Sequence, residues 1–550
     1  MAVTTLYVVR IVALLTIMIA AMTGMTVNAQ ENEPVHLKSR DGTVSIKGQL
    51  LGFELDVYIV DVPGKGIVKV EGSQVECISG PCPSGDGSAA NTAAAPEVYD
   101  PKFGIYGART VGDVLMPNLL RGYAQSVGAL FKIEGTEEAS ERIVTLTDPD
   151  GRVRAEIVLQ AKGSASAFQA LADGVAAIGM TDRRMDDADL EVLAIAEIPE
   201  LRDTPNEVVL GVDGIVFITH PDNPVRDLSA EDIARIYSGE VTSWLELGGG
   251  DVPIAVHSFG TDSDDRAFLV GALVTPNGRA ENDNITRWNT SQEIVDAVMG
   301  YPGSIGFVPR WQAPSNGVNL IAIRETCGLL SSPTDFQIKS EGYALSRRIY
   351  AYTPAADTHP EAKAFLAWAQ SDAAQPWIKK SNFVDAELER MQLPDMGMML
   401  IHTVASEPDF DPGLYVEMMR ALRTAERLSI SFRFTTGSST LDVESERNLS
   451  RLAKRIEDGE LNGFEVLLIG FADSIGEQQK NTELAQERAD TVRAILAGAL
   501  SNETIDRIRL DTLSFGELLP MSCNSSEVGR ARNRRVEVWI RNPNKRVTGR

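Results

Sequence analysis

The sequence predicts an α/β protein of several domains: a small N-terminal β unit, a large two-lobed α/β region and a C-terminal α/β domain. The chain has 550 residues, which is too long for one hydrophobic core and suggests about three domains at roughly 150 residues each. Strand-like and helical runs alternate from Lys102 to Val384, and again from Ile430 to Ile540. Alternation of this kind predicts sheets covered by helices.

The N-terminus has the pattern of a secretory signal peptide. Residues 1–29 contain one basic residue, Arg10, then an apolar run over residues 11–21 and a small-residue cleavage site at residues 27–29. The run is short for a membrane span, which favours a cleaved signal peptide over the alternative interpretation, an uncleaved anchor. No cysteine follows the run, and lipid anchoring is therefore not expected. We expect a periplasmic protein.

Composition and motifs exclude several classes of function. The formal net charge of −25 argues against nucleic acid as a partner, since phosphate contacts need clustered Lys and Arg. The five His form no HExxH motif, and the chain contains no P-loop and no GxSxG elbow. Ser164 as a nucleophile is a weaker interpretation than Ser164 as an anion ligand at a helix start. We predict no enzyme activity, no metal and no cofactor.

The four cysteines fit an oxidising compartment. Cys77 and Cys82 lie in CISGPC with a Gly-Pro turn between them, which predicts a small disulfide loop. A metal site is the weaker alternative because no His lies near. Cys327 and Cys523 can pair with each other or remain free, and the sequence leaves this open.

The first folded part is predicted over residues 32–83 as a small all-β domain. Short alternating apolar runs are separated there by Asp-Gly and Pro-Gly turns. Its function is not indicated. Residues 84–97 are small and polar without periodicity, which predicts a linker.

Residues 98–385 form the predicted two-lobed region. Its helical runs are Asn118 to Tyr123, Ala165 to Gly174, Ala230 to Ser238, Arg266 to Val274, Ser291 to Met299 and Pro360 to Gln370. The glycine-containing loops GARTVGD and AKGSAS precede the first two. Exposed N–H groups and hydroxyls at helix starts can bind an anion, although each loop taken alone is an ordinary helix cap.

Two stretches of this region resemble the phosphate-binding periplasmic proteins of ABC uptake systems. They are DGIVFITHPDNPVRDLSAEDIARIYSGEVTSWLELGGGDVPIAV at residues 213–256 and YPGSIGFVP at residues 301–309. The resemblance implies a two-lobed type II binding-protein fold, a small oxyanion such as phosphate in the cleft, and an ABC permease as a further partner. It places Thr110, Ser164 and Asp182 on ligand positions. An acceptor-only carboxylate such as Asp182 selects a protonated oxyanion and rejects sulfate.

The third ligand loop, HSFGTDSDDRAF, departs from this family. Counted back from Phe268, Asp262, Ser263 and Asp264 occupy the Ser-Gly-Thr places, and the family's arginine region falls on His257 or Ser258. Two extra carboxylates would repel a dianion by an amount on the order of several kcal/mol at an effective dielectric near ~20. Replacement charge is expected from Arg183, Arg184 or Arg266, or else the ligand is not phosphate. The predicted oxyanion ligands are Thr110, Ser164, Asp182, Arg183 and Ser263.

Residues 386–428 are predicted as a Met-rich connector with an amphipathic helix, and residues 429–542 as the C-terminal domain. In this domain a β-α-β-α-β order suggests one mixed sheet covered on one side by helices. Arg488 lies at helical spacing with Leu484 and Val492, and an arginine in an apolar stripe needs a negative partner. Asp473, at the preceding strand exit, is the nearest candidate. An ion pair that only stabilises the turn is the alternative.

The C-terminal region resembles the peptidoglycan-binding OmpA-like domain. The resemblance rests on GFADSIGEQQKNTELAQERADTV, SFGELLP and GRARNRRVEVWI. It implies that Asp473 and Arg488 bind the amine and the carboxylate of diaminopimelate in the wall peptide. Ala472 and Ala485 depart from the Thr and Ser that the family often has, and neither removes a charge. Four arginines cluster in the third motif, where they form a solvated strand edge or contact anionic wall polymer: Arg530, Arg532, Arg534 and Arg535.

Together these patterns predict a periplasmic solute-binding protein that is tethered to the cell wall or outer membrane. It would bind an oxyanion for ABC-type uptake or for sensing and would hold peptidoglycan through its C-terminal domain. The alternative is an envelope structural or signalling protein whose binding-protein domain is an interaction module without phosphate affinity.

Overall fold

A computed structural model of the protein describes residues 35–40, 45–54, 57–62, 66–71, 74–79, 100–354, 359–406, 410–434 and 440–543. The predicted signal peptide, the predicted linker and Cys82 lie outside these residues, so the Cys77–Cys82 bridge stays a prediction. The chain divides into two compact units, residues 1–99 and 100–550. Within the described ranges, no helix is both long and apolar enough to cross a membrane.

The first unit is an antiparallel sheet, as the alternating runs predict. Its strands are β1 (Val35–Ser39), β2 (Ser45–Glu54), β3 (Val57–Val62), β4 (Gly66–Glu71) and β5 (Val75–Ser79), in the spatial order β4-β3-β2-β1-β5. Its small core contains Val35, Leu37, Tyr58, Val60 and Val75. The predicted all-β character is confirmed.

The second unit begins with a region of thirteen strands and nine α-helices in its described residues. The strands are β6 (Lys102–Gly107), β7 (Leu130–Gly135), β8 (Glu141–Thr147), β9 (Val153–Ala161), β10 (Ile178–Thr181), β11 (Glu207–Thr219), β12 (Asp227–Ser229), β13 (Ala255–Phe259), β14 (Thr286–Trp288), β15 (Ser304–Pro309), β16 (Asn319–Arg324), β17 (Leu330–Ser331) and β18 (Ser346–Tyr352). The helices are α1 (Met116–Ser126), α2 (Ser164–Ala172), α3 (Asp187–Ile195), α4 (Ala230–Ser238), α5 (Asp264–Leu269), α6 (Ser291–Gly300), α7 (Asp335–Lys339), α8 (Pro360–Ala369) and α9 (Gln375–Lys380).

This region has two lobes, each with its own core. The main strand order is β14-β13-β15-β11-β18-β10-β6-β9-β8-β7. Strand β11 joins the lobes, because Val208 and Leu210 lie in the first core while Ile215 and Phe217 lie in the second. Strand β18 pairs antiparallel with β11 along the same path. The predicted two-lobed α/β fold is confirmed.

Helix α5 begins earlier than the apolar pattern indicates. The pattern predicts a start at Arg266, whereas the helix begins at Asp264 and continues into a π-helical turn, Val270–Val274. Ser263 is its N-cap, and its hydroxyl accepts a bond from the Arg266 amide at 3.4 Å. Carboxylates are favourable in a first helical turn, where N–H groups lack partners. Asp264 and Asp265 therefore lie at the helix start, facing the first lobe.

The C-terminal region is built on one mixed sheet in the order β19-β20-β23-β21-β22. Its strands are β19 (Arg390–Gln392), β20 (Ala425–Arg433), β21 (Glu465–Phe471), β22 (Arg509–Ser514) and β23 (Arg535–Arg541). Its helices are α10 (Gly397–Ser406), α11 (Pro412–Leu422), α12 (Val443–Glu457), α13 (Gln478–Gly498), α14 (Asn502–Ile505) and α15 (Glu527–Asn533). The β-α-β-α-β pattern predicted from the sequence lacks two of these strands, β19 and β22.

The sheet is covered on both faces, not on one as expected. Helices α12 and α13 pack on one face through residues such as Leu452 and Val492. On the other face the predicted connector packs against Leu467 and Trp539, using Met396 and Met418. Every residue of β21 is buried, as in a strand covered on both sides. The connector is therefore part of the C-terminal core and is not an extended tether.

Covalent and ionic contacts join the two-lobed region to the C-terminal region. Cys327 and Cys523 form a disulfide across 196 residues, which answers the question that their spacing left open. The guanidinium of Arg348 on β18 bonds Asp442, the N-cap of α12, at 3.0 Å. Arg532 donates to the Ala344 carbonyl at 2.7 Å. The two regions are thus held together at the side of β18.

Candidate functional site

Three predicted oxyanion ligands lie close together where strands of the first lobe end. Thr110 precedes a π-helical turn, Ser164 is the first residue of α2, and Asp182 follows β10. The Ser164 hydroxyl donates to Asp182 Oδ1 at 2.7 Å, and the Asp182 amide points back at the same hydroxyl at 3.2 Å. All three residues are buried. The first two loops therefore form the start of a polar site at the N-terminus of α2.

The third loop brings carboxylates into this site from the second lobe. The Ser164 amide, which opens α2, donates to Asp264 Oδ2 at 2.8 Å. The Thr110 hydroxyl donates to Asp265 Oδ1 at 3.5 Å. Gly163 has φ 136°, a conformation that favours glycine, and the Asp264 carboxylate lies 3.5 Å from where a Cβ would stand. The amide expected to bind an external anion is thus bonded to an internal one.

The cation of the site is Arg347, which is not among the ligands predicted from the sequence. Its guanidinium contacts three carboxylates, Asp182 at 3.1 Å, Asp213 at 3.2 Å and Asp265 at 2.6 Å. Burial would lower the pKa of Arg347, but the three aspartates outweigh it and raise that pKa. The signal in the sequence is an arginine at an inward position of the alternating strand SRRIYAY, between Leu345 and Ile349.

Burial shifts the titration of the surrounding aspartates upward. It raises the pKa of Asp264 to about 6, and the nearby charge of Asp182 adds to the effect. Burial also raises the pKa of Asp213 to about 6, although Arg347 opposes the shift. The pKa of Asp265 is raised for the same reason. One guanidinium does not fully offset this many buried carboxylates, so the cluster takes up protons in mildly acidic solution.

The other predicted cations are engaged elsewhere. Arg183 bonds Asp189 at 3.0 Å, Arg184 bonds Glu207 at 2.7 Å, and Arg266 bonds Glu281 at 2.6 Å. His257 is buried in the second lobe between Ser304 and Trp288. None of these side chains has a hydrogen bond or ion pair with Ser164 or Asp182 in the described part of the chain.

A cavity of about 180 Å³ lies in front of this cluster, between the lobes. Thr110, Ser263, Asp264 and Asp265 line it, and Arg109 and Lys162 contribute positive charge. Ser263 is thus near the cleft, while its hydroxyl serves α5 as a cap. Arg109 reaches Asp262 at 3.6 Å, and both side chains are largely exposed. The cavity can hold a small ligand, but its inner wall is acidic.

The C-terminal domain has a pocket of about 490 Å³ that contains both predicted peptidoglycan ligands. Asp473 accepts from the Ile475 amide at 2.9 Å and pairs with Arg534 at 2.7 Å. The expected Asp473–Arg488 pair is therefore replaced by Asp473–Arg534. Arg488 makes no hydrogen bond or ion pair with any residue that the structure describes, and its guanidinium lies 5.6 Å from the centre of the Phe434 ring. Arg534 belongs to the site, although the sequence indicated it only as part of a basic cluster.

The environment of Arg488 suits a ligand carboxylate. Burial lowers the pKa of Arg488, the charge of Arg534 lowers it further, and Asp473 opposes both. The buried face of α13 carries Ala485, Ala489 and Val492, so Arg488 lies beside the apolar face and not within it. An unpaired, half-buried guanidinium next to a carboxylate can bind a group that carries both an amine and a carboxylate.

The basic cluster of the third motif is divided among different environments. Arg530 and Arg534 line the pocket that contains Asp473 and Arg488. Arg535 is fully buried and pairs with Glu537 at 2.7 Å. Arg532 faces the two-lobed region. The expectation that these four arginines form a solvated strand edge is therefore wrong.

Both regions match models of known protein families. A model of the PBP superfamily domain matches residues 124–373, and a model of the OmpA family matches residues 433–534. The phosphate-binding protein PstS of Pseudomonas aeruginosa is 26% identical over 268 residues, which cover 44% of this chain and 78% of that protein. Outer membrane protein A of Bordetella avium is 36% identical over 107 residues, which cover 20% of this chain and 52% of that protein.

Solved structures of binding proteins also match the two-lobed region. An ABC-type phosphate transport receptor from Vibrio cholerae is 20% identical, covers 51% of this chain and 99% of its own, and has a TM-score of 0.40. The chain spans about half the length of its outer-membrane relatives. The prediction of a non-enzyme is confirmed, because the relatives are named as binding proteins and as outer-membrane or peptidoglycan-associated proteins. Residues 124–373 form a domain of the PBP superfamily, and residues 433–534 form a C-terminal domain of the OmpA family.

Proposed function

We propose that this is a periplasmic protein bound to peptidoglycan, whose two-lobed domain binds a small protonated oxyanion. The oxyanion we propose is phosphate. The observation that carries the wall-binding part is the pocket in which Asp473, Arg534 and an unpaired Arg488 meet. The ligand's amine would contact Asp473 and its carboxylate would contact Arg488. This contact would retain a secreted chain at the wall.

The oxyanion part is supported by the hydrogen bond between Ser164 and Asp182 at the start of α2, by Thr110 in the wall of the adjoining cavity, and by the names of the relatives. Asp264 must release the Ser164 amide before an anion can take its place. Protonation of Asp264, or separation of the lobes, would do this. We therefore expect weak binding that improves in mildly acidic solution.

The folded connector bears on how such a protein would be used. Because Leu393, Met396, Met418 and Leu422 pack on the C-terminal sheet, the described part of the connector is folded against that sheet and is not an extended tether. Local capture or sensing of the oxyanion at the wall is therefore favoured over delivery to a distant ABC permease.

A second candidate function is an interaction module without phosphate affinity. It is favoured by the pairing of Arg347 with three aspartates, which occupies the cation at the inner wall of the cleft. In this case the closed, internally bonded cleft would be a structural feature of an envelope protein.

Calorimetric titration of the full chain with inorganic phosphate separates the two candidates. Asp264→Ser removes the competing carboxylate, and Asp262→Ser is the matched control on the exposed rim of the same loop. Since a hydrogen bond to a charged group contributes about 1.5–3 kcal/mol, Asp264→Ser should raise phosphate affinity about tenfold to a hundredfold. Ser164→Ala should lower it. If neither the wild type nor Asp264→Ser binds millimolar phosphate, the interaction module is the correct function.

Sedimentation with purified cell wall tests the anchor. Asp473→Ala should release the protein from the pellet, whereas Glu503→Ala, on the exposed surface of the same domain, should not. Equal retention of both variants would refute peptidoglycan binding at this pocket.

A further inference from the structure

A cavity of about 420 Å³, separate from the cleft and from the pocket around Asp473, lies where the two lobes and the OmpA-family domain meet. We call it the junction pocket. Strand β18, the loop before α3 and helix α15 all contribute to its wall. Six guanidinium groups line the pocket, those of Arg183, Arg184, Arg347, Arg348, Arg433 and Arg532. Among the described lining residues, Glu341 is the one that is acidic. So many cations around one cavity are costly unless negative charge compensates them.

Most of these arginines have acidic partners, but Arg532 does not. Arg348 and Arg433 share Glu341, at 2.5 Å and 3.2 Å. Among the described residues, Arg532 has no carboxylate within ion-pair distance, and its guanidinium bonds only the Ala344 carbonyl. Burial lowers the pKa of Arg532; Glu325 opposes this shift and Arg433 adds to it. Arg532 is thus a largely enclosed cation that lacks a counterion.

Two buried donors of the lining are also unsatisfied. Arg347 is 5% exposed, and its Nε has no hydrogen-bond partner among the described residues. The Ser346 hydroxyl, on the same strand, is likewise buried and unpaired within the described structure. Buried donors without partners are rare in folded proteins because their desolvation is not compensated. A bound group that accepts hydrogen bonds would satisfy them.

The remaining wall of the pocket is apolar. Phe268 and Tyr350 belong to the two-lobed domain, whereas Val528 and Ala531 come from α15. Val528 is 63% exposed, so the pocket opens to solvent beside it. A ligand that fits this lining combines several anionic oxygens with an apolar body.

We propose that the junction pocket is a second anion site, which binds a phosphate group, either free or as a phosphate monoester with an apolar substituent. Guanidinium groups bond phosphate oxygens in a planar, bidentate geometry, and arginine is the side chain best suited to this. The site is separate from the cleft. Asp182 and Asp265 pair with the Nη atoms of Arg347 on the cleft side. The ligand of the pocket would bond Arg347 Nε and the Ser346 hydroxyl, which have no partner among the described residues, and Arg532. The proposal does not depend on oxyanion binding in the cleft.

Because residues of both domains line the pocket, the bound anion should strengthen their association. Arg532 and Ala531 belong to the OmpA-family domain, and Ser346 and Arg347 belong to the two-lobed domain. An anion bound to residues of both domains adds contacts across the boundary to the ion pairs already there.

The test is a calorimetric titration of the oxidised full chain with phenyl phosphate and, separately, with inorganic phosphate, at constant ionic strength. Ala531→Glu places a carboxylate in the pocket without removing a side-chain hydrogen bond, since Ala531 is exposed on α15. Arg532→Met removes the unpaired cation. Arg507→Ala, at an exposed ion pair of the same domain, is the matched control, and Ser164→Ala is the cleft variant.

We expect Ala531→Glu and Arg532→Met each to weaken phenyl phosphate binding by about tenfold or more, with Arg507→Ala unchanged, whereas Ser164→Ala reports separately on binding in the cleft. Tighter binding of phenyl phosphate than of inorganic phosphate identifies the monoester as the better ligand; equal binding identifies the free anion. The proposal is overturned if the wild type binds neither compound, or if Ala531→Glu leaves binding intact. Loss of binding only in Ser164→Ala would also overturn it, because the anion would then lie in the cleft. Arg532→Met also removes the Ala344 bond, so Ala531→Glu decides the case if the two disagree.

Discussion

Replacing Asp213 by Asn should change how the stability of the protein depends on pH. Asp213 lies on β11, is completely buried and bonds Arg347 through one carboxylate oxygen. Its other oxygen has no hydrogen-bond partner among the described residues. Burial raises its pKa from 3.8 to about 6. Asparagine has nearly the same shape and remains uncharged at every pH, so the variant removes the titration and keeps the packing.

The magnitude follows from the difference between the two pKa values. A tenfold change in an acid dissociation constant corresponds to about 1.4 kcal/mol, so the change from pKa 3.8 to about 6 corresponds to roughly 3 kcal/mol. Between pH 3.8 and about 6 the folded protein holds a proton that the unfolded chain has released. Stability from this group is therefore fully present below pH 3.8, falls as the pH rises to about 6, and stays constant above that.

The assay is differential scanning calorimetry of the wild type and Asp213→Asn from about pH 4.5 to about pH 7.5. The stability of the variant relative to the wild type should rise by roughly 2 kcal/mol between about pH 4.5 and about pH 6 and level off above that. Titrating groups outside the Arg347 cluster cancel in this difference. Asp511→Asn, at a half-exposed position on β22, is the control variant. Parallel pH profiles for the wild type and Asp213→Asn would refute the reasoning.

Three other perturbations test the disulfide, the wall site and the cleft in turn. Cys327→Ser removes the disulfide that closes a loop of 196 residues, and the chain-entropy model gives an upper limit of about 5 kcal/mol for the lost stability. The unfolding midpoint should fall, and a reducing agent should lower the midpoint of the wild type in the same way. An unchanged midpoint would contradict this prediction. Arg488→Ala should weaken retention on peptidoglycan about tenfold in a pull-down, and Arg488→Lys should restore part of it, because the ligand carboxylate needs a cation; equal retention by all three proteins would exclude Arg488. Phosphate affinity should increase from about pH 7.5 to about pH 5.5 as Asp264 takes up a proton, and titration of Asp264→Ser should show a smaller change; the same pH dependence in both would exclude Asp264 as the titrating group.

Individual elements are predicted well from the sequence where their periodicity is strong. Helices α4 and α6 begin at the predicted residues, and α8 differs from its prediction by one residue at its end. Helix α5 is the instructive exception: its first turn, capped by Ser263, begins two residues before the apolar pattern, because polar first-turn residues carry no apolar signal. The packing of the connector on the C-terminal sheet was not predicted, since its methionines do not reveal which surface they cover.

For the candidate sites, local pattern located single residues but not their partners. Ser164 and Asp182 were assigned to one site through the family resemblance, and they are hydrogen-bonded. The carboxylate that reaches Ser164 comes from Asp264, one hundred residues further along the chain. In the C-terminal domain, Asp473 was expected to pair with Arg488, but its ion-pair partner is Arg534.

The amino-acid sequence alone was sufficient to predict the class of each domain, the position of its main helices and the two loops that open the cleft. These properties depend on hydrophobic period and helix-start chemistry, which act over a few neighbouring residues. Three contacts became visible only in the folded chain: Arg347 pairs with three aspartates, Cys327 meets Cys523, and six arginines surround one pocket. Such contacts join residues far apart in the chain, and they are selected by the packing of whole domains, which no local pattern encodes.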